Sequence, residues 1–255
     1  MNKLFKISYA VFIYAFLYIP IAVVVWFSFN NADRSLLWHG FTWHWYGVLF
    51  QDSDMFTITL HSLAVGTLAA TFAMILGTFA AVCFYRYRFF GKKLFFGLLF
   101  ILVIVPDIVL AIAFLLLFRT INVPLGFWSL LIAHITFCLP FVFVTLNSRL
   151  SSTNPFLVEA ARDLGASESK IFFRVLVPLL LPGLLAGWLL SFTLSLDDVI
   201  ISYFVTGPSF QILPLKIFAM VRLGVSPEIN ALCTLLLGFT IIIVLISQLA
   251  LRKKW

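Results

Sequence analysis

The chain has 255 residues, of which 63% are hydrophobic and only 11% charged, with a mean hydropathy of +1.11 and a net charge of +7. A water-soluble globular domain is nearer half apolar and a quarter charged, so this composition excludes one and defines an integral membrane protein. The basic excess follows from the placement of charge around a membrane and calls for no nucleic-acid partner.

Six apolar blocks, at 8–29, 57–84, 94–118, 128–147, 177–205 and 228–251, are each long enough to cross a hydrocarbon core of about 30 Å. None shows the short alternating pattern of a transmembrane β-barrel, so the expected fold is all-α, a single transmembrane domain spanning residues 1–255 with six helices. Lys3 and Lys6 precede the first block. Its length of about 22 residues exceeds the apolar part of a signal peptide, and no small-x-small site precedes Asn30, so it is expected to be an uncleaved helix.

The segment 30–56 follows, with WHGFTWHWYGVLF. Its Trp38, Trp43, Trp45 and Tyr46 suit either a short helix at the headgroup level or the aromatic lining of an external mouth, where ring faces attract cations. Trp45 is a candidate pathway residue on the second reading. His39 and His44 have no carboxylate or cysteine at ligand spacing, so no metal site is expected. Cys83, Cys138 and Cys233 fall within or at the ends of spans, form no CxxC, and read as packing residues, as do His61 and His134.

With six spans, Lys3, Lys6, Arg86, Arg88, Lys92, Lys93, Arg149, Arg162, Lys170, Arg174, Arg252, Lys253 and Lys254 all lie on one side. Only Arg34, Arg119, Lys216 and Arg222 lie on the other. Basic residues favour the cytoplasm, so both termini are expected there.

Three of the ten acidic residues, Asp107, Asp197 and Asp198, lie within expected spans, with no Lys or Arg at comparable depth. Each costs about 2.5–3.5 kcal/mol near the centre of a membrane helix, which makes each a candidate for a substrate pathway. Counted at about 1.5 Å per residue from the basic side, all three lie some 20 Å up, at one level. On a continuous fifth helix Ser191, Ser195, Asp198 and Ser202 form one stripe, expected to face the pathway, with Asp197 about 100° away. Pro106 is expected to break the third span beside Asp107 and free backbone carbonyls there.

The loop 148–176 is too polar to insert and too long for a plain connector. Asn154 and Pro155 read as a helix start, Gly165 as its C-cap, and Ser167 as the opening of a second short helix. Its sequence EAARDLGASESKIFFRVLVP resembles the EAA loop of ABC importer permeases, with Glu159, Ala160, Ala161, Gly165, Ile171 and Pro178 at the family's spacing. YRYRFFGK, Pro106-Asp107-Ile108-Val109, HITFCLPFV, SFTLSLDDVIISYFVTGPSF, ILPLKIF and GVSPEINAL extend the likeness to permease subunits of polyamine importers.

The resemblance implies a type I importer permease in a bacterial inner membrane. The 148–176 loop would seat cytoplasmic coupling helices on an ATPase dimer through Glu159, Ala160, Ala161, Asp163, Gly165 and Glu168. It also implies a second permease subunit, a periplasmic polyamine-binding protein, and ATP and Mg used by the ATPase subunit, with no cofactor on this chain. The chain lacks a GxxxxGK[ST] phosphate loop, as a non-catalytic subunit should; Gly91-Lys92-Lys93 is the nearest approach. An ion-coupled transporter or cation channel using the aspartates is the alternative, but it should show repeated halves or matching broken helices, and the sequence shows no matching halves. An aspartyl or serine intramembrane protease lacks its surrounding motifs.

Overall fold

The computed structural model describes residues 3–33, 37–154, 156–222, 224 and 226–252. Pro155, the expected first helical residue of the loop, and the orienting charges Arg34, Lys253 and Lys254 lie outside the described residues. Helices are the regular elements among the described residues, with one isolated bridge between Asn30 and Phe41.

The elements in order are α1 (Lys3–Phe27), α2 (His44–Gln51), α3 (Ser53–Arg86), α4 (Lys92–Ile104), α5 (Asp107–Thr120), α6 (Phe127–Ser151), α7 (Leu157–Asp163), α8 (Glu168–Ile171), a π turn (Phe172–Leu176), α9 (Val177–Asp197), α10 (Ile200–Val205), α11 (Leu213–Arg222) and α12 (Pro227–Arg252). Among the described residues five helices are long and apolar enough to cross a membrane singly. A sixth crossing exists only if α4 and α5 count as one bent span.

The chain forms two compact units, one of Ile58–Leu215 and one of Met1–Thr57 with Lys216–Trp255. In the second, α12 packs on α1 and α2. The stretch Phe5–Phe27 spans about 35 Å at helical rise and leaves Phe12, Phe16 and Trp26 exposed, as a lipid-facing helix does. Short α2 lies in the segment between the first two expected spans.

The unit Ile58–Leu215 is built around α6, which packs on α4, α9 and α10. Its core runs along Leu130, Cys138, Val142, Phe143, Leu146 and Leu150. Glycines let neighbouring helices come close to that core. A Cβ on Gly77 would lie 2.8 Å from Val142 Cγ1, and one on Gly187 would lie 3.5 Å from the same atom. Two glycines from α3 and α9 thus meet one valine of α6, the small-residue contact that brings membrane helices together without a hydrophobic driving force.

Two expected spans are not continuous. The third, 94–118, turns by 112° between α4 and α5. Pro106 lacks an N–H and forces Val105 into an extended conformation, with ψ of 133°, so α4 ends there and Asp107 opens α5. The fifth, 177–205, stops at Asp197; Asp198 is extended, with ψ of 120°, and α10 starts at Ile200. Both breaks fall at the aspartates, and both lie in the Ile58–Leu215 unit.

Candidate functional site

The break after α9 separates the two adjacent aspartates. Asp198 turns inward and is only 9% exposed. Its Oδ1 accepts the Ile201 N–H at 3.1 Å, and its Oδ2 accepts the Ser202 N–H at 2.7 Å and the Ser202 hydroxyl at 2.8 Å. These are the orphan donors at the start of α10, and an anion there is favoured by both the free N–H groups and the helix dipole. The side chain therefore caps α10 just beyond the break, while its neighbour stays outside. Asp197, the last residue of α9, is exposed, and its carboxylate makes no hydrogen bond or ion pair among the described residues.

His134 on α6 completes the inward side and is fully buried. Its Nδ1 lies 2.6 Å from Ser195 Oγ, its Nε2 3.0 Å from Ser202 Oγ, and Nε2 is 3.4 Å from Asp198 Oδ2. Ser191 is also fully buried against α6, where the Cys138 thiol donates to the Ser191 carbonyl at 3.4 Å. The Ser191 hydroxyl is the buried side-chain oxygen left without a partner among the described residues.

The stripe of Ser191, Ser195, Asp198 and Ser202 is thus real, but it faces the interior of this unit and not an open pathway. Helix periodicity placed the four together. It could not show that a histidine on another helix fills the face they share. Helix geometry favours Asp198 over Asp197; in the structure Asp198 is buried and Asp197 is the exposed carboxylate.

Asp107 occupies the other break. It stands in the first turn of α5, exposed, again with no hydrogen bond or ion pair to its carboxylate among the described residues. Leu110, Ala111 and Phe118 are the buried residues of α5, on the face that Asp107 begins but one turn or more beyond it, and α5 packs on α10. The structure therefore leaves two bare carboxylates, Asp107 and Asp197, at helix breaks within apolar sequence. Trp45, in the other unit, is half-buried and donates its indole N–H to the Asn30 carbonyl at 2.8 Å, so its ring is anchored by its own loop.

The loop between α6 and α9 folds as a helix–turn–helix. Asn154 Oδ1 accepts the Phe156 N–H at 3.0 Å and opens the loop's first helix. Gly165 has φ of +77°; its N–H bonds to Arg162 O at 2.9 Å and the Ala166 N–H to Ala161 O at 3.1 Å. This is a Schellman cap, and it requires a left-handed residue at position 165. Val158 and Ile171 anchor the loop in the core, whereas Glu159, Ala160 and Asp163 are exposed and Ala161 is half-buried. Leu164, which sequence reasoning passed over, is 89% exposed beside them. A large apolar side chain in the last turn of a polar helix was the available signal.

Glu168 is not a free contact residue. Its Oε2 pairs with Arg86 Nη1 at 2.5 Å and its Oε1 with Arg162 Nη2 at 3.0 Å. It ties the end of α3 to the loop, ahead of the apolar part of α9. The hydrogen bonds from Arg86 and then Arg162 hold its carboxyl below the ordinary carboxylate range.

The described residues thus form a helical membrane bundle with a structured helix–turn–helix loop and exposed carboxylates at two helix breaks. Residues 73–255 match the model of the binding-protein-dependent transport system inner membrane components, and the chain belongs to that family. It is 50% identical over 254 residues to the spermidine/putrescine transport system permease protein PotC of Escherichia coli K12, covering 100% of this chain and 96% of that protein. The Haemophilus influenzae protein of the same name is 50% identical over 95% of this chain and 94% of its own length. The putrescine transport system permease protein PotI of E. coli K12 is 42% identical over 88% of this chain and 83% of its own.

Among solved structures, a bacterial ABC transporter importing alginate superposes with a TM-score of 0.72 at 20% identity, over 98% of this chain and 96% of that one. The methionine transporter MetNI gives 0.65 at 19% identity, over 79% and 98%. The fold is that of type I ABC importer permeases. The chain is a multi-pass inner-membrane subunit of such an importer and is not itself an enzyme. Subunits of this family work with a separate ATPase, a binding protein and a second permease.

Proposed function

We propose that this chain is one of two permease subunits of an ATP-driven importer that carries spermidine and putrescine from periplasm to cytoplasm by alternating access. The observation that carries the substrate class is half identity, over the full chain, to relatives named for spermidine and putrescine transport. The partners would be a PotB-like permease, a PotA-like ATPase dimer that uses ATP and Mg, and a PotD-like periplasmic binding protein. Both termini would lie in the cytoplasm, with the charge bias of the loops.

The chemistry of the site suits that cargo. A polyamine is a chain of ammonium groups separated by three or four methylenes. Asp107 and Asp197 offer bare carboxylates amid apolar surface, and a passing ammonium offsets the cost of keeping each ionised. Asp198, Ser195, Ser191 and Ser202 support the wall behind Asp197 instead of lining the path, and Trp45 remains a candidate for the outer mouth.

On the opposite face, Glu159, Ala160, Ala161, Asp163 and Gly165 would dock the ATPase, joined by Leu164, with Glu168 holding the loop in place. Complementation tests the reading. A strain lacking its own polyamine importers, given this permease with its cognate subunits, should accumulate labelled spermidine, and omission of this chain alone should abolish the gain. Accumulation that persists without this chain would overturn it.

A further inference from the structure

The fully buried ring of His134 does not touch the candidate path, yet it makes contact on both sides of the break that follows Asp197. Ser195 is two residues before Asp197 on α9, and Ser202 is five residues after it on α10. The ring spans from one to the other, with Nδ1 at 2.6 Å and Nε2 at 3.0 Å, while Asp198 Oδ2 lies 3.4 Å from Nε2. We infer that His134 is a positioning residue that staples α9 to α10 across their break and so fixes where the Asp197 carboxylate points, which rests on the pathway reading of Asp197.

One arrangement of the protons satisfies every member of the chain. The Ser202 hydroxyl donates to Asp198 Oδ2, so its lone pair is free to accept from the ring Nε2–H. With that proton on Nε2, Nδ1 is an acceptor to which the Ser195 hydroxyl donates. Every donor has an acceptor, and all members are buried. A chain of this kind holds its members more rigidly than its bonds would separately, and loss of one member leaves buried donors unmet.

Without the ring, Ser195 and Ser202 have no common partner; α6 then holds α10 through the Ser129 hydroxyl on the Val205 carbonyl at 2.7 Å and α9 through the Cys138–Ser191 bond, but no one described side chain of α6 bonds to both. α9 would then be free to end differently. The carboxylate that is moved is Asp197, which has no bond of its own to hold it. An apolar residue at 134 would fill the space and leave the staple open, which separates positioning from packing.

The test is equilibrium binding of labelled spermidine to the assembled permease–ATPase complex in nanodiscs without the binding protein, for wild type, Asp197→Asn, His134→Ala, and the double variant. Asp197→Asn and His134→Ala should each weaken the Kd about tenfold, and the double variant should be within about twofold of Asp197→Asn alone, because His134 acts through that carboxylate. His134→Gln, which keeps a donor near the Nε2 position, should bind more tightly than His134→Ala, and His134→Leu should not.

If Asp197→Asn weakens binding and His134→Ala does not, the staple is refuted and the pathway reading stands. If the two losses multiply in the double variant, His134 acts by another route and the staple is likewise refuted. An unchanged Kd for Asp197→Asn, or no saturable binding by wild type, overturns the pathway reading and the inference with it. Should His134→Ala fail to assemble, the comparison of His134→Gln and His134→Leu on both backgrounds decides in the same way.

Discussion

Replacing Asp197 and Asp198 separately by asparagine tests whether two adjacent carboxylates have unlike roles. Asp198 is buried and accepts from Ile201 N, Ser202 N and Ser202 Oγ at 2.7–3.1 Å. Asparagine keeps one acceptor oxygen and turns an NH2 group towards donors at the start of α10. At least one charge-assisted bond is lost, at about 1.5–3 kcal/mol, so Asp198→Asn should destabilise the subunit by about 2–3 kcal/mol. For a chain of this size that lowers the melting temperature by about 5 °C or more.

Asp197 has no partner to lose, and its replacement should change stability by under about 0.5 kcal/mol. Its effect should fall on transport instead, with binding-protein-dependent uptake reduced about tenfold. Fluorescence-monitored melting of the assembled complex, beside uptake in the same preparation, reads both quantities. Equal melting temperatures for the two variants, or a greater loss for Asp197→Asn, would refute the division of roles.

Gly77→Ala should cost about 1–3 kcal/mol, because its Cβ would stand 2.8 Å from Val142 Cγ1; melting at the wild-type temperature would show that α3 and α6 are less tightly apposed. Gly165→Val puts a branched side chain at φ of +77°, where an L residue costs about 1–2 kcal/mol, although no atom lies within 4 Å of the new Cβ. That strain should lower the stability of the subunit by about the same amount, and a further loss should appear in ATPase co-purification; an undiminished ATPase yield would count against the docking role.

Arg86→Glu and Glu168→Arg should each loosen the loop, and the double swap should restore part of the protection of loop amides from hydrogen exchange; no restoration would mean that the pair does not hold the loop. Because the Glu168 carboxyl is held below its ordinary 4.5, the clamp is complete above that pH. It is lost as pH falls through the lowered value, and unchanged exchange in strong acid would refute it.

The spans were legible because a membrane crossing is a property of local composition: the blocks at 57–84 and 128–147 coincide with α3 and α6 to within four residues at each end. The break at Pro106 was equally local, since a missing N–H acts on its own turn. Its 112° angle was not, being set by what α5 packs against. The break at Asp198 has no local breaker residue. It depends on a carboxylate capping α10 beside a histidine 61 residues before Ser195 and 68 before Ser202. A lone buried histidine carries no motif, so His134 read as packing and the serine stripe read as a path. In the loop, Gly165 announced itself through the turn it must make, whereas the Arg86–Glu168 pair joins residues far apart in sequence.

The most direct measurement is uptake of labelled spermidine into proteoliposomes holding both permeases and the ATPase, with the binding protein outside and ATP either enclosed or absent. Uptake should require ATP and the binding protein, be competed by unlabelled putrescine, and be indifferent to an imposed proton or sodium gradient. Spermidine flux driven by such a gradient without ATP, or ATP-driven flux of another cargo with none of spermidine or putrescine, would contradict the account.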